Sequence, residues 1–372
     1  MHKKLIVVAV AGALAAPATA LAQTTIYGLF NVEWGVSVDQ PAEGSTGLER
    51  HTGDFFNAGA SRIGFRGEEK MGGGNAAWYQ CETELGLYPR DTGITVCDRN
   101  SAVGLKGGWG NFFVGSWDSP LKRVSGIVRI TNETGFFGTQ DLTLRAGTFG
   151  LPNFSNRNTN SFNYDTPTMG GFMASVQTTT TQAKFDAVEV AGTSLDGRIS
   201  TISGQWLGGP AAIVAGYSKK DKNRSAGGID SAEDTAYLVG GSYVIGPVKV
   251  GLTFTNRESD DGAPTPTTVE RNAYNVAAEW KLGGPSTIRF GYTAAQDLKG
   301  TNPITAAGIG DTGAVQYSIQ YLHALSKRTT VAIGYVKVDN DTNGTSNLTD
   351  MSTDVKPGDS ASAIALTLQH SF

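Results

Sequence analysis

The chain ends on the stretch SASAIALTLQHSF, residues 360–372. From Ile364 onward every second residue is bulky, and the residues between them are small or polar. This period of two is typical of a β-strand with one apolar and one polar face. Chain termini usually fray unless a neighbouring element holds them. The pattern therefore predicts that the last residues are paired inside a sheet.

The same alternation recurs along the chain, for example in residues 26–38, 248–257, 274–282, 288–293 and 315–321. No segment of comparable length shows a helical period. Seven short turns marked by Gly or Pro, such as MGGG (71–74) and LGGP (282–285), alternate with eight long polar connections. Seven short and eight long connections join sixteen strands and leave both chain ends on the short-turn side.

The two strand faces have an inverted polarity, with Val, Tyr and Trp on one and Lys, Glu and Arg on the other. A sheet closed in lipid needs this pattern, because its outer face meets hydrocarbon and its lumen meets water. Aromatic residues on the apolar face fit interfacial girdles; they are Trp34, Tyr217, Tyr243, Trp280 and Tyr321. The sequence predicts an all-β fold, a 16-stranded antiparallel transmembrane β-barrel that is too wide for side chains to fill. Its last strand, with Phe372 facing lipid, closes on QTTIYGLFNVEW (23–34).

The first residues, 1–22, are predicted to be a cleaved export signal, because a positive start, a short apolar run and ALA (20–22) follow in order. Cleavage removes two lysines and changes the formal net charge from −4 to −6. Residues 23–372 then form the barrel domain. With four His, two Cys and no G-x-S-x-G or H-E-x-x-H motif, we expect no enzyme. GIGDTG (308–313) opens no helix, so we expect no dinucleotide site.

Two further patterns leave alternatives open. Cys81 and Cys97 would lie at the same height on paired strands if residues 76–87 and 101–106 form a hairpin. An exported chain passes an oxidising compartment, so we predict a disulfide; two isolated buried thiols are the alternative. Calcium-loop spacing occurs in DNDTNGTSNLTD (339–350), where the candidate ligands are Asp339, Asp341, Asn343 and Asp350. A solvated acidic loop is the alternative there, and no other cofactor is expected.

Six stretches resemble the trimeric outer-membrane porins of Gram-negative bacteria, of the general type found in beta-proteobacteria. They are TTIYG (24–28), SRIGFRGEEKMGGG (61–74), DRNSAVGLKGGWGNFFVG (98–115), RNTNSFNYDTPTMGGF (157–172), HALSKRTTVAIGY (323–335) and LTLQHSF (366–372). The resemblance implies short periplasmic turns, long extracellular loops and a homotrimer in outer-membrane lipid and lipopolysaccharide. It implies passive diffusion of small hydrophilic solutes and ions, and a Phe372 that the barrel-assembly machinery reads. No nucleic-acid partner is expected.

The longest connection, residues 119–159, corresponds by this resemblance to the third loop, which folds into the barrel and constricts it. Large apolar residues suit the loop for packing on an inner wall. Arg62, Arg99 and Arg157 match the basic side of such a constriction, and Arg66 shares the inward parity of Arg62. The candidates for a facing acidic side, which would orient dipolar solutes, are Asp98, Glu133 and Asp141.

Fixed charge at a narrow constriction sets ion preference more strongly than net charge does. We therefore expect mild anion preference, weakened because Ser116 stands where such porins often carry an arginine. The alternative is a barrel without an open pore that serves as adhesin, receptor or outer-membrane enzyme. Deletion of residues 127–147 separates the two, since it enlarges the conductance only if a pore exists.

Overall fold

The computed structural model describes residues 24–37, 54–87, 95–132, 135–145, 151–180, 197–221, 233–260, 268–301, 310–348 and 355–372. In these residues an antiparallel sheet of 18 segments closes on itself. The segments are β1 (Thr25–Ser37), β2 (Asp54–Asn57), β3 (Arg62–Gly72), β4 (Asn75–Glu84), β5 (Ser101–Gly107), β6 (Gly110–Asp118), β7 (Arg157–Asp165), β8 (Phe172–Thr179), β9 (Arg198–Gly208), β10 (Ala211–Asp221), β11 (Glu233–Ile245), β12 (Val248–Asp260), β13 (Thr268–Gly283), β14 (Ser286–Ala295), β15 (Lys299–Gly300), β16 (Ala314–Ala324), β17 (Thr329–Asn340) and β18 (Ala361–Ser371).

These 18 segments form the predicted sixteen barrel strands, because two barrel strands are interrupted. Segments β2 and β3 both pair with β1, and β14 and β15 both pair with β13. The first interruption is a local turn at residues 58–61, where Ala60 has a positive φ of 69° and the Ser61 N–H donates to the Ala58 carbonyl at 3.1 Å. Each of these two pairs of segments therefore counts as one barrel strand.

The last strand closes the barrel on the first, as predicted. The β1–β18 register runs from Leu29 opposite Ser371 to Ser37 opposite Ala363. Gly28 and Phe372 exchange both backbone hydrogen bonds at 3.1 Å. The Phe372 ring covers Gly28, where a β-carbon would lie 2.2 Å from Cζ, and its centroid is 5.5 Å from that of Phe30. Closure therefore pairs the two strands that would otherwise be the edges of the described sheet.

The burial pattern confirms the inverted faces. Apolar side chains such as Ile213 and Leu252 are 55% exposed toward the outside, whereas Asn163, Thr293 and Gln316 are buried inside. The predicted girdle residues are all exposed on the outer face, and they are Trp34, Tyr217, Tyr243, Trp280 and Tyr321. This arrangement is stable in lipid, where the outer face meets hydrocarbon.

The short turns explain how neighbouring strands reverse direction. In the turns 209–210, 246–247 and 284–285 a glycine with a φ of 56° to 59° precedes a proline. A positive φ at the first turn position matches the right-handed twist of the flanking strands, and glycine adopts it without strain. These two-residue turns fix the register of three hairpins.

Two helices lie in the third loop, where we had not predicted a helix. They are α1 (Pro120–Val128) and α2 (Gln140–Thr143). The Ser119 hydroxyl caps α1 by accepting the Lys122 N–H at 3.2 Å, and Pro120 occupies the first turn. Within the described residues, neither helix is long and apolar enough to cross a bilayer.

Candidate pore constriction

The third loop lies inside the barrel. It spans residues 119–156, three residues shorter than predicted, because Arg157 already begins β7. Helix α1 packs against β8–β12, and α2 against β13 and β14. The loop buries its apolar side chains on the barrel wall from β8 to β18 and on β1: Leu121, Val124, Val128, Ile130, Phe136, Phe137, Leu142 and Leu144. Their removal from water holds the loop in the lumen.

Six glycines of the barrel wall, which we call the wall glycines, make room for the loop. They are Gly35 (β1), Gly216 (β10), Gly240 (β11), Gly251 (β12), Gly291 (β14) and Gly334 (β17). At each of them a β-carbon would lie within 3.0 Å of a loop atom. The nearest contact is at Gly251, where it would lie 2.4 Å from the Val128 carbonyl oxygen. The loop therefore rests on strand backbone.

Side chains of the same wall hydrogen-bond the loop backbone. The Glu33 carboxylate accepts the Phe136 N–H at 2.9 Å, and the Gln316 amide donates to the Gly138 carbonyl at 2.9 Å. Further wall donors reach loop carbonyls: Lys249 to Ile127, Thr255 to Thr143, Arg257 to Arg145 and Lys220 to Asn153. Because buried carbonyls need partners, these bonds fix where the loop lies.

The wall across the lumen is formed by β3–β6 and the start of β7, and we call it the β3–β6 wall. It carries the predicted basic residues Arg62, Arg66, Arg99 and Arg157, which we call the arginine cluster. Arg62 and Arg99 share the carboxylate of Glu82, with Nε–O distances of 3.4 and 2.8 Å. Arg99 also reaches Glu84 at 3.3 Å. The inward parity predicted for Arg62 and Arg66 is confirmed, because the neighbouring Ile63 and Phe65 are exposed on the lipid side.

The other two members of the arginine cluster, Arg157 and Arg66, have partners of their own. Asp118 accepts Lys122 at 3.1 Å and lies 3.3 Å from Arg157, and the Arg157 Nε donates to Asn100 at 2.9 Å. Arg66 stacks over the Tyr27 ring, 5.1 Å from its centroid. The structure therefore brings together the four basic residues that the sequence predicted on one wall.

The predicted acidic side differs from the structure. Asp98 does not face the arginine cluster; it lies on the same wall, because it adjoins Arg99 and its Oδ1 accepts the Glu84 N–H at 2.9 Å. Asp141 does lie on the loop, in α2, with Arg145 3.7 Å away. Glu133 lies outside the described residues. The carboxylates that contact the arginine cluster are Glu82, Glu84 and Asp118.

Sequence reasoning missed these three carboxylates and the wall glycines. Glu82 and Glu84 alternate with Cys81 and Thr83 on β4, which pairs with the arginine-bearing β3. Their shared parity was a signal that they point to the same side as Arg62. The sequence around the wall glycines does not show that a loop packs on them. A glycine between two lipid-facing residues fits equally well whether water or a loop lies on its lumen side.

Cys81 and Cys97 form a disulfide, with their Cα atoms 4.8 Å apart. The predicted pair is present, but Cys97 is not on a strand. It lies in the turn before β5 with a φ of 60°, and its N–H donates to the Thr83 hydroxyl at 2.9 Å. This contact brings the turn back onto the end of β4.

The predicted calcium loop begins in the last two residues of β17, Asp339 and Asn340, and precedes β18. Asp339 accepts hydrogen bonds from Tyr317 at 3.1 Å and Ser360 at 2.7 Å and is paired with Lys337. Asn343 donates to the Gly310 carbonyl at 3.0 Å, and Asp350 lies outside the described residues. Across the described ranges, no three His, Cys, Asp or Glu side chains come together as metal ligands. Calcium binding stays a prediction.

A closed sheet with a lipid-facing apolar surface, a polar lumen and an internal loop defines a channel-forming barrel of the bacterial outer membrane. The chain belongs to the Gram-negative porin family, which it matches over residues 7–343. It is therefore an outer-membrane porin, a general diffusion channel for small hydrophilic solutes.

Relatives and solved structures agree with this assignment. Outer membrane porin protein 32 of Delftia acidovorans is 27% identical over 385 residues that cover both chains completely. Major outer membrane protein P.IB of Neisseria gonorrhoeae is 34% identical over 179 residues, 48% of each chain. The solved "Anion-selective porin from Comamonas acidovorans" has a TM-score of 0.74 at 21% identity and covers 94% of this chain and 100% of that one. The trimer form of OmpT from Vibrio cholerae has a TM-score of 0.68 at 16% identity, covering 94% and 99%. These two likenesses show the fold.

Proposed function

We propose that this porin is a mildly anion-preferring diffusion channel in which the arginine cluster sets the sign of the preference. The observation that carries the proposal is the convergence of the four arginines of the arginine cluster on the β3–β6 wall. Three of them and the loop residue Lys122 contact the carboxylates of Glu82, Glu84 and Asp118, which hold these basic side chains in place. A structural neighbour is an anion-selective porin, which supports the same sign.

The loop side supports the proposal as well. Residues 119–156 contain four basic side chains, Lys122, Arg123, Arg129 and Arg145, and two acidic ones. The loop therefore adds net positive charge to the constriction, next to the four arginines of the opposite wall. An anion entering this narrow region gains more from fixed charge than it would on an open surface, because the walls have a low dielectric constant.

The acidic partners position the guanidinium groups. Glu82 is 8% exposed and Arg99 15% exposed at the side chain, so this pair is largely removed from water. Partly buried pairs of this kind are worth little as net stability, but they restrict the geometry of both partners. Solutes cross by diffusion, the gap between loop and arginine cluster sets the size limit, and no chemical step is needed.

The test is the reversal potential in a KCl gradient across a planar bilayer. We expect a sign that indicates chloride preference, and a shift toward potassium in the Arg62→Gln, Arg66→Gln double variant. Arg328→Gln is the matched control, because Arg328 is exposed in the 325–328 turn, away from the arginine cluster. Clear cation preference of the native channel would contradict the proposal.

We also propose that the chain assembles as a homotrimer and that Phe372 is recognised during insertion by the barrel-assembly machinery. The trimer is supported by the family and by the trimeric form of a structural neighbour. Conductance that rises in groups of three equal steps is the expected observation. For Phe372→Ala we expect less folded barrel in the outer membrane, with Phe112→Ala as the control on the same lipid-facing surface.

A further inference from the structure

Three aromatic rings contact each other on the inner wall of the barrel: Trp78 (β4), Phe113 and Trp117 (both β6), which we call the aromatic cluster. The ring centroids are 5.4 Å apart for Trp78 and Phe113, 5.7 Å for Trp78 and Trp117, and 5.1 Å for Phe113 and Trp117. These distances are typical of favourable tilted and edge-to-face pairs. The three rings therefore form one continuous apolar surface.

The cluster faces the lumen. Gly104 of β5 lies between Trp78 and Phe113 in the register, and its neighbours Val103 and Leu105 are exposed on the lipid side. A β-carbon on Gly104 would lie 2.6 Å from both Trp78 Nε1 and Phe113 Cβ. Both rings thus meet over Gly104 on the inward face, and this glycine gives them the room to do so.

The arrangement is held in place. The Trp78 indole N–H donates to the Asn111 amide oxygen at 2.8 Å. Phe113 is only 1% exposed, whereas Trp78 and Trp117 remain partly exposed. Trp78 and Trp117 therefore cover Phe113 and present ring surface to the water-filled space.

The third loop packs elsewhere. Its described apolar side chains pack on β1 and β8–β18, and its ion pairs Lys122–Asp118 and Arg123–Asp165 reach β6 and β7, whereas the aromatic rings contact one another on β4 and β6. An apolar surface is unusual on the lumen side of a porin, where the wall is otherwise polar. Exposed apolar surface of this kind is informative, because it costs free energy in water unless a solute covers it.

The aromatic cluster adjoins the arginine cluster. Trp117 directly precedes Asp118, which contacts Arg157 and Lys122. On β4, Trp78, Gln80 and Glu82 follow each other on the inward face, and Glu82 holds Arg62 and Arg99. A solute that leaves the arginine cluster toward the short-turn rim therefore passes the aromatic rings.

We propose that the aromatic cluster and the arginine cluster together form a weak subsite for small anions that carry a planar ring, as aromatic carboxylates do. The carboxylate contacts the guanidinium groups while the ring stacks on Trp117 or Trp78. The subsite favours such solutes over aliphatic ring acids of the same charge. This inference rests on the proposed anion preference of the channel and adds a solute class to it.

The test measures how benzoate reduces the chloride current of the native porin in a planar bilayer. Cyclohexanecarboxylate, with equal charge and similar size, and glucose, an uncharged ring, are measured in parallel. We expect benzoate to act at the lowest concentration. For Trp117→Leu we expect about two- to tenfold weaker benzoate binding, the factor expected for one lost aromatic contact; the same holds for Trp78→Leu.

Trp280→Leu is the matched control, because Trp280 is 45% exposed on the lipid-facing surface. We expect it to leave benzoate binding unchanged. Three outcomes would each overturn the inference. The first is equal block by benzoate and cyclohexanecarboxylate, and the second is equal block by benzoate and glucose. The third is an equal effect of Trp280→Leu and Trp117→Leu on benzoate block. Trp117→Leu keeps the test valid if Trp78→Leu fails to fold. A native channel that prefers chloride but does not distinguish these acids refutes only this inference, whereas cation preference refutes the proposed function as well.

Discussion

The two halves of the inner wall differ in what they present to the lumen. The β3–β6 half presents guanidinium groups, carboxylates and aromatic rings to the lumen, and these contact other side chains of the wall and Lys122 of the third loop. The half formed by β10–β18 and β1 presents glycines, and its partner is the third loop. The constriction thus depends as much on side chains that are absent from one wall as on charges that are present on the other.

The energetic terms differ between these halves. The loop wall gains hydrophobic burial, because Phe136, Phe137 and Leu142 pack with wall alanines such as Ala273 and Ala363 in one cluster. On the arginine wall the ion pairs restrict geometry and add little net stability. We therefore expect changes on the loop wall to alter stability and pore size, and changes on the arginine wall to alter ion preference.

Removing the third loop should have the largest effect on the difference between the loop wall and the arginine wall. Deletion of residues 127–147 leaves the arginine wall without a facing surface, so we expect the single-channel conductance to rise severalfold and the ion preference to weaken. Planar-bilayer recordings measure both, and resistance of the folded barrel to unfolding in detergent shows that it has assembled. Conductance near zero before and after the deletion would support a barrel without an open pore.

A smaller effect is expected from a single wall glycine. In Gly251→Ala the new β-carbon would lie 2.4 Å from the Val128 carbonyl oxygen, so the loop has to shift. We expect a loss of about 1–3 kcal/mol in the free energy of unfolding, as for overpacking, together with a broader distribution of conductance values. Urea unfolding in lipid vesicles measures the stability.

Gly204→Ala is the matched control for this substitution, because a β-carbon at Gly204 meets no atom within 4 Å. We expect it to leave both measurements close to those of the native porin. Equal losses in Gly251→Ala and Gly204→Ala would show that the wall glycines do not act through the loop.

Removing one wall donor should have a more local effect. Gln316→Leu removes the 2.9 Å hydrogen bond that the Gln316 amide donates to the Gly138 carbonyl, a net loss of about 0.5–1.5 kcal/mol. We expect more open-channel current noise, because the loop tip is less firmly held, while the mean conductance changes little. Gln320→Leu, on the same strand and inward face, serves as the control. Unchanged noise in Gln316→Leu would show that apolar packing alone holds the tip.

The smallest effect on the pore is expected from the disulfide. In the Cys81→Ala, Cys97→Ala double variant the conductance should stay close to native, because the bond joins the end of β4 to a turn on the arginine wall and not to the loop. Closing a loop of this length contributes about 3 kcal/mol in the chain-entropy description, so the unfolding temperature should fall. A large change in ion preference would show that the bond positions Arg99.

Much of the barrel was predictable, because the residue alternation within each strand shows which face meets lipid and which face meets water. The period of two in residues 360–372 is sufficient to place Phe372 toward lipid, and the alternation of short turns and long connections is sufficient for the strand number. The helix α1 was also within reach, since Ser119 and Pro120 form a helix start before Leu121, Val124 and Val128 at helical spacing. It was missed because strand periodicity dominated the interpretation.

The site was only partly predictable, because its contacts join residues far apart in the chain. Arg62, Arg99 and Arg157 were found through resemblance, but their acidic partners were sought on the loop and lie on the same wall. Asp98 shows the reason. Its sequence neighbour Arg99 points toward Glu82, whereas its own carboxylate accepts a backbone N–H of β4, and no local pattern separates these two outcomes.

The amino-acid sequence by itself determined the sheet, its polarity and its closure, because lipid outside and water inside impose a residue-by-residue alternation that every strand repeats. Only the tertiary structure decided where the third loop rests and which charges meet. Those outcomes depend on glycines, carbonyls and carboxylates brought together from distant strands, and their contacts exist only once the barrel has closed.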